Sequence, residues 1–334
     1  MQKEKQIKIT GMLRWLVAGI GDIATKRVIP AILEEPRSHL AAVVTRDPAK
    51  AAPYGVPSFA RLEDALSRRE FDALYVSTPV FLHAPQTLAA LHAGLHVLCE
   101  KPMALNLDQA QQMVGAAAQC RRHLGVAYYR RAYPKVQRAR ELIRLGAIGQ
   151  PVMAFAACHS PLPTDPTRLG WLLDPEKAGG GPLYDIGSHR IDLLNYFFGE
   201  PEGVRGCLSN AVHELRVEDS ATLVIKYRNG LHGVVDARWN SSVVRDEFRI
   251  IGTEGEIDLS PLNGSDLVFP SGREVLPPHS NFHYPCIKNF VDAALEGKEL
   301  LSSGAAAALT DWVTENAVAD SSRRREIQLG ASAL

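Results

Sequence analysis

The stretch Gly19-Ile20-Gly21-Asp22-Ile23-Ala24 decides the fold, because it joins an apolar, strand-like run to a segment of helical spacing. It fits the pattern G-x-G-x-x-A in the strand-turn-helix setting that dinucleotide sites require. Gly19 permits the tight turn, Gly21 lets the backbone approach a pyrophosphate, and Ile23 and Ala24 open a helix whose N-terminus faces the anion. The stretch therefore predicts a nucleotide cleft, with a glycine-rich turn in another α/β fold as the alternative.

Around this turn, apolar or β-branched runs alternate with helical segments between residues 13 and 130. Such alternation is typical of a doubly wound parallel sheet with crossover helices. The predicted strands are Arg14–Ile20, Leu40–Thr45, Ala73–Ser77, His96–Cys99 and Gly125–Tyr129. The predicted helices are Thr25–Glu34, Leu62–Arg68, His83–Ala93 and Asp108–His123.

The pattern changes in the second half, where strand-like runs follow one another closely and Arg228-Asn229-Gly230 supplies a hairpin turn. We predict strands at Val152–Cys158, Ala221–Tyr227, Leu231–Arg238, Phe248–Gly252 and Glu256–Leu259. We predict helices at Pro134–Leu145, Pro182–Phe198, Phe282–Glu296 and Ala305–Ala319. The expected organisation is an α/β Rossmann-type domain over residues 11–128 and an α+β domain with a largely antiparallel sheet over residues 129–334.

Composition narrows the class of partner. The chain has 334 residues, of which 46% are hydrophobic and 22% charged, and its 37 basic residues equal its 37 acidic residues. This balance offers no field that would attract nucleic acid or an anionic membrane, so a small-molecule substrate is expected. No segment resembles a signal or membrane span. Five scattered cysteines without C-x-x-C spacing suit a reduced cytoplasm.

The end of the second predicted strand bears on the choice of cofactor. Thr45 and Arg46 stand where an NAD enzyme often has an acidic residue for the ribose hydroxyls, and a hydroxyl with a guanidinium suits a 2′-phosphate. Asp47 follows directly and is close enough to reach a ribose. The cofactor is therefore expected to be NAD(P), with NADP favoured over NAD.

Two further strand ends carry polar residues. Glu100-Lys101-Pro102 follows the strand ending at Cys99, and Thr78, Pro79 and His83 follow the strand before it. Ligands of open α/β sheets bind at the carboxyl ends of the strands, so these residues are predicted to contact the cofactor, and Lys101 to touch the substrate as well. A surface turn and a helix cap are the alternatives.

A third group lies on the helix that follows Gly179-Gly180-Gly181. Asp185, His189 and Asp192 stand at positions i, i+4 and i+7, which places them along one helix face. An imidazole is the usual proton acceptor, and a neighbouring carboxylate can fix its tautomer. An ordinary i, i+4 ion pair is the alternative, and no metal is expected because no compact zinc spacing is present.

The three motifs, in this order and at these separations, resemble the Gfo/Idh/MocA oxidoreductase family along nearly the whole chain. The resemblance implies a Rossmann domain, a second domain with an open, predominantly antiparallel sheet, and homodimers or homotetramers packed through that sheet. It implies that Lys101, Asp185 and His189 are catalytic and that Arg131 contacts the substrate. The family often has Asn where this chain has Val80 and Tyr129.

Two aromatic residues extend the expected substrate site. Tyr129 and Trp171 could offer faces on which a sugar or an aromatic diol stacks, with burial in the core as the alternative. The expected reaction is hydride transfer between a nicotinamide and a hydroxyl or carbonyl carbon of a sugar, polyol or diol, with His189 exchanging the proton and Lys101 stabilising the oxygen. An NAD-dependent redox-assisted glycosidase and a catalytically silent cofactor-binding regulator are the competing interpretations.

Overall fold

The first half of the chain forms a six-stranded sheet in which every neighbouring pair is parallel. The computed structural model describes residues 11–323, apart from the side chains of residues 166 and 167. The strands are β1 (Leu13–Ala18), β2 (Ser38–Val44), β3 (Ser58–Phe59), β4 (Ala73–Val76), β5 (His96–Cys99) and β6 (Leu124–Val126), in the spatial order β3-β2-β1-β4-β5-β6. The predicted doubly wound sheet is thus confirmed, and only the two-residue β3 was missed.

Helices cover both faces of this sheet. They are α1 (Ile29–Glu34), α2 (Leu62–Leu66), α3 (His83–His92) and α4 (Leu107–Cys120). Where an α-helix was predicted over Thr25–Glu34, the residues Ala24–Val28 form a π-helical segment in which the N–H of Ile29 donates to the carbonyl of Ala24. Pro30 explains the wider turn, because it has no N–H to donate to Lys26 and its ring crowds that carbonyl.

The second half forms an eight-stranded sheet whose neighbours are antiparallel except for one central parallel pair. Its strands are β7 (Pro151–Pro161), β8 (Pro201–Ser209), β9 (Ser220–Tyr227), β10 (His232–Arg238), β11 (Asn240–Gly252), β12 (Glu256–Asp258), β13 (Asp266–Phe269) and β14 (Gly272–Val275). The order is β14-β13-β12-β11-β7-β10-β9-β8. The predicted antiparallel character is confirmed, whereas β8, β13 and β14 were not predicted.

One face of the second sheet packs against helices, and its side chains alternate accordingly. The helices of this half are α5 (Pro134–Arg144), α6 (Pro166–Leu172), α7 (Pro175–Ala178), α8 (Ser188–Phe198), α9 (Tyr284–Glu296) and α10 (Gly304–Arg323). On β9, Leu223 and Ile225 are fully buried beneath the helices, whereas Val224 between them is 43% exposed on the opposite face. Within residues 11–323, no helix is both long and apolar enough to cross a membrane.

The end of the chain returns to the first half. Phe290 of α9 packs on Trp15 of β1 with ring centroids 5.2 Å apart, and Ala307 of α10 lies in the same apolar core as β4 and β6. Arg37 forms ion pairs with Asp292 and Glu296 of α9. The sequence assigned all of residues 129–334 to the second domain, but these two helices also complete the first.

Candidate active site

The glycine turn after β1 is shaped by its contact with the end of β4. Gly19 has φ +90, a left-handed conformation that favours glycine, and a Cβ there would lie 2.8 Å from the carbonyl oxygen of Ser77. Gly21 faces open space, Ile23 is 44% exposed, and Ala24 is fully buried beneath the turn. This shape leaves room for a pyrophosphate at the start of the following helix, so the residues fit a dinucleotide.

At the end of β2 the acidic residue is already engaged. The carboxylate of Asp47 accepts the N–H of Ala49, 3.1 Å away, and its own N–H donates to the Thr45 hydroxyl at 3.2 Å. Arg46 is exposed beside them. The Thr45 hydroxyl is engaged as well, because it also donates to the carbonyl oxygen of Asp47 at 3.2 Å, so the exposed guanidinium of Arg46 is the cationic group at this edge that is open to a nucleotide.

His83 does not face the crevice. It is 1% exposed, with Nδ1 2.9 Å from the carbonyl oxygen of Pro102 and Nε2 2.8 Å from that of Thr78. The imidazole therefore joins the loop after β4, where Thr78 and Pro79 are half-buried, to the loop after β5. Burial lowers the pKa of His83. The predicted cofactor contact is not supported, because this buried ring supports the crevice from behind.

Glu100 is engaged by two buried partners. Its Oε1 lies 2.7 Å from the hydroxyl of Tyr75 and 3.1 Å from Nε2 of His283. Burial tends to raise the pKa of Glu100, but the hydrogen bond and charge of His283 outweigh burial and hold it below its usual value. Glu100 thus links β5 to the start of α9, and its contact with the cofactor stays a prediction.

Lys101 and Asp185 meet across the joint between the two halves. Nζ of Lys101 donates to Oδ1 of Asp185 at 2.9 Å and to its backbone carbonyl at 2.7 Å. Arg168 of α6 approaches the same carboxylate from the other side, with Nη2 3.3 Å from Oδ2. Burial tends to raise the pKa of Asp185, but these two cations hold it below its ordinary value. The carboxylate is therefore ionised and orients Lys101.

The helix that bears Asp185 begins in a π-helical segment, Leu183–Gly187. The Glu218 carboxylate accepts the N–H groups of Gly181 and Leu183 at 2.9 and 3.1 Å. A Cβ on Gly181 would lie 2.0 Å from the carbonyl oxygen of Glu218, so the close approach requires glycine there. The glycine run is thus a packing requirement that positions the site helix.

His189 lies on α8 beneath two tyrosine rings. It is 4% exposed, with its ring centroid 5.2 Å from that of Tyr129 and 5.8 Å from that of Tyr128. Nδ1 is buried and has no hydrogen-bond partner among the described residues. Burial, and then the positive charges of Arg130 and Lys101, lower the pKa of His189 well below 6.5. The imidazole is therefore neutral near pH 7.

The carboxylate expected to orient His189 is not found on its helix. Asp185 binds Lys101, and Asp192 binds Arg131 through two hydrogen bonds of 2.9 and 2.6 Å. Arg131 is 3% exposed and also donates to the carbonyl of Leu301 at 3.0 Å. The predicted substrate contact of Arg131 is therefore not supported, because its guanidinium is buried against Asp192.

The two aromatic candidates differ in their surroundings. Tyr129 is half-buried and contacts His189, and its ring is stacked on Phe282 at 6.2 Å with an interplanar angle of 11°. Trp171 is half-buried on α6 and packs with Val217 and Trp239 in a small apolar cluster. Tyr129 thus lies in contact with the catalytic candidate, whereas Trp171 supports the helix that carries Arg168.

The sequence analysis missed three residues of the site: Arg130, Arg168 and His283. Arg168 stands three residues before Trp171 in a segment without a recognisable motif, and His283 lies nearly a hundred residues beyond the site helix. Only Arg130 could have been found from the sequence, because it is a cationic residue directly after the predicted Tyr129. Among the described residues, no group of three or more His, Cys, Asp or Glu side chains gathers in a way that could hold a metal ion.

Comparison with known proteins identifies the family. Residues 13–128 match the model of an oxidoreductase family with an NAD-binding Rossmann fold, and residues 136–258 match that of a GFO/IDH/MocA C-terminal domain. This protein belongs to the Gfo/Idh/MocA oxidoreductase family. Members of this family that resemble it include 1,5-anhydro-D-fructose reductase of Ensifer adhaerens, which is 34% identical over 74% of this chain and 75% of that protein.

Two further oxidoreductases resemble this protein over most of its length. dTDP-3,4-didehydro-2,6-dideoxy-alpha-D-glucose 3-reductase of Streptomyces violaceoruber is 30% identical over 80% of this chain and 81% of its own. The crystal structure of aldose-aldose oxidoreductase from Caulobacter crescentus, complexed with glycerol, superposes with a TM-score of 0.85 at 26% identity and covers 94% of this chain and 98% of that one. The protein is accordingly an oxidoreductase with an NAD-binding Rossmann domain.

Proposed function

We propose that this enzyme transfers a hydride between a nicotinamide cofactor and a hydroxyl or carbonyl carbon of a sugar, polyol or related diol, with Lys101, Asp185 and His189 at the reacting centre. The observation that carries the proposal is the 2.9 Å contact between Lys101, at the end of a Rossmann strand, and Asp185, on the helix that also bears His189. Ligands of such sheets lie at the strand ends, so this contact marks the point where cofactor and substrate would meet. Relatives named for sugar reduction support the substrate class.

His189 is the group that exchanges the substrate proton. A low pKa keeps the imidazole neutral, so it can accept the hydroxyl proton when an alcohol is oxidised and return it when a carbonyl is reduced. The nicotinamide, when bound, supplies the hydride acceptor or donor. Tyr129 and Tyr128 pack against the ring and hold its orientation. They take the place of the carboxylate that was expected to orient it.

Lys101 stabilises the charge that develops on the substrate oxygen. Its ammonium carries three donors, of which two are directed at Asp185, so one remains for the substrate. The positive charge is fixed before the reaction begins, and such preorganised donors contribute strongly to catalysis in a site shielded from water. Asp185 positions Lys101 through the two hydrogen bonds that it accepts.

The finer features of the enzyme follow from the residues at its edges. NADP is favoured over NAD, since Arg46 is exposed at the end of β2 while Asp47 is engaged by the following turn. Association into a homodimer or homotetramer would cover the outer face of the second sheet, where Val224 and Met153 are 43% and 37% exposed. All five cysteines are free thiols, which suits the cytoplasm.

The decisive experiment follows nicotinamide absorbance with NAD and with NADP over a panel of sugars, inositols, amino sugars and trans-dihydrodiols. We expect substrate-dependent oxidation or reduction of at least one cofactor. A folded protein that binds cofactor but changes its redox state with no substrate would overturn the proposal. Sugar release from a glycoside without net change in NAD(P)H would assign the redox-assisted glycosidase instead.

A further inference from the structure

We propose that the substrate carries an anionic group, a carboxylate or a phosphate, which Arg168 and Arg130 recognise beside the reacting centre. This inference rests on the proposed function and narrows its substrate to an acidic sugar or polyol derivative. Its basis is that the positive charges gathered around Asp185 and His189 outnumber the carboxylates available to them.

Arg168 supplies the accessible positive charge. Its side chain is 40% exposed at the site, and among the described residues its polar contacts are made by Nη2 alone, to the two oxygens of Asp185 at 3.3 and 3.4 Å. Asp185 already forms a closer ion pair with Lys101 at 2.9 Å. One carboxylate therefore serves two cations, and Nε and Nη1 of Arg168 remain to bind a ligand.

Arg130 supplies a second positive charge that lacks an ionic partner. It is only 8% exposed, yet no carboxylate oxygen of the described residues lies within 4.0 Å of its guanidinium. Nε and Nη2 donate to Oδ1 of Asn263 at 3.1 and 3.0 Å, and Nη1 is buried without a hydrogen-bond partner. Burial of an unpaired charge is unfavourable, and orphaned donors of this kind commonly mark a site for a ligand or an ion.

The position of Arg130 relates it to the chemistry. Its Cζ lies 4.9 Å from the ring centroid of Tyr129, and the same ring lies 5.2 Å from His189. One half-buried aromatic ring thus separates the unpaired guanidinium from the proton-exchanging imidazole. The neighbouring Arg190 does not share this excess of charge, because Asp246 pairs with it.

The charges and donor geometry favour an anion over a neutral hydroxyl. A hydroxyl could accept one hydrogen bond from Arg168 but would leave the local charge unbalanced. A carboxylate or phosphate accepts two parallel hydrogen bonds from one guanidinium and offsets its charge, and such charge-assisted pairs are about twice as strong as neutral ones. A substrate with an acidic group would therefore gain affinity that its neutral analogue lacks.

The test compares matched substrates that differ only in the acidic group. D-glucose is measured against D-glucuronate and D-glucose 6-phosphate, and D-galactose against D-galacturonate, with kcat/KM followed at the nicotinamide absorbance. We expect at least one acidic member to exceed its neutral partner by about tenfold or more. Preference for the uronates assigns a carboxylate, and preference for the phosphate ester assigns a phosphate.

Substitutions test whether Arg168 and Arg130 recognise the acidic group of the substrate. Arg168→Gln should lower the ratio of acidic to neutral kcat/KM by about tenfold, and Arg130→Gln should lower it in the same direction. The control is Arg216→Gln, since Arg216 is 63% exposed and pairs with Asp174 away from the site, and this variant should keep the wild-type ratio. If a site variant does not fold, the ratio in the wild-type enzyme at low and high salt decides, because salt should weaken only the acidic member.

Four results would contradict the recognition of an acidic group by Arg168 and Arg130. Neutral members that equal or exceed their acidic partners in every pair would overturn this inference and leave the proposed oxidoreductase function intact. A preference for acids that survives both site variants would also overturn it, because recognition would then lie elsewhere. Turnover of other compounds in the substrate panel, with none of any acidic member, would overturn this inference alone. Absence of turnover across the whole panel with either cofactor would overturn the proposed function and this inference with it.

Discussion

Arg131 and Asp192 form a buried ion pair in which Nη2 and Oδ1 are 2.6 Å apart and neither side chain is more than 4% exposed. The pair fastens the turn after β6 to α8, the helix that bears His189. Arg131 thus contributes to the shape of the site through its buried contact with Asp192. Its role can be separated experimentally from that of a ligand contact.

Arg131→Met should destabilise the protein by about 3–5 kcal/mol, because it leaves the Asp192 carboxylate buried without a partner. Urea unfolding measures this loss. The double variant Arg131→Met/Asp192→Leu should recover much of the stability, since no buried charge is then unpaired. Unchanged stability together with a raised KM would show instead that Arg131 binds substrate.

Lys101→Met should reduce turnover by about 100-fold to 1,000-fold, because the donor aimed at the developing negative charge is lost. Binding of NAD(P)H, followed by nicotinamide fluorescence, should remain measurable. Lys177→Met is the matched control, since Lys177 is 44% exposed and pairs with Asp174 on the surface. Turnover within a few-fold of the wild type would remove Lys101 from the reacting centre.

The pH dependence of alcohol oxidation should report the low pKa of His189. Because the neutral imidazole is the base, kcat/KM for a neutral substrate should stay level as pH falls to 6.5 and decline only at lower pH. Arg130→Gln should move the midpoint of this decline upward, since removing a nearby positive charge raises the pKa of His189. A midpoint at or above 6.5 in the wild type would contradict this assignment.

Arg46→Ala should lower the preference for NADP over NAD by about tenfold, because the guanidinium proposed to bind the 2′-phosphate is removed. The comparison needs kcat/KM for both cofactors with one substrate. Arg61→Ala serves as a control, since Arg61 is 70% exposed and lies beyond β3. An unaltered cofactor ratio would place the 2′-phosphate elsewhere or assign NAD as the cofactor.

His96 should make the protein less stable in acid. Burial, and then the charges of His123 and Arg122, lower the pKa of His96 to about 3, so the unfolded chain binds a proton at His96 between pH 6.5 and 3 that the folded chain does not. This group should contribute a loss of about 2 kcal/mol between pH 7 and pH 5. His96→Asn keeps an acceptor for the N–H of His123 and should remove that part of the pH dependence.

Equal pH dependence of unfolding in His96→Asn and the wild type would contradict the assignment. His232→Asn, at an exposed position on β10, is the control for replacing a histidine. The free energy of unfolding from urea titrations at both pH values measures the effect.

The local pattern of apolar and polar residues predicted most of the strands and helices. Buried parallel strands such as β4 and β5 read as continuous apolar runs, and the helices between them follow the 3.6-residue period. Strands β3, β13 and β14 have two to four residues each, too few to show a period. β8 was missed although it has nine residues, because polar and small residues interrupt its alternation.

The site was predictable where a motif fixed the position of a residue along the chain. Lys101, Asp185 and His189 belong to such motifs, and the structure brings Lys101 to Asp185. Periodicity placed Asp192 on the same helix face but could not show that Arg131 would bind it. Pairings between residues distant in sequence depend on how the two halves pack, and no local pattern encodes them.

Because α9 packs against the first half of the chain, it belongs to the segment that must be exchanged when nucleotide-binding domains are swapped between related enzymes. A fragment ending at residue 128 would leave the surface around Trp15 without Phe290. A chimaera that grafts a new nucleotide cleft onto this chain must therefore transplant residues 284–308 together with the N-terminal strands. On the ribosome, the same connection means that the first core is completed only after residues 284–308 have also emerged.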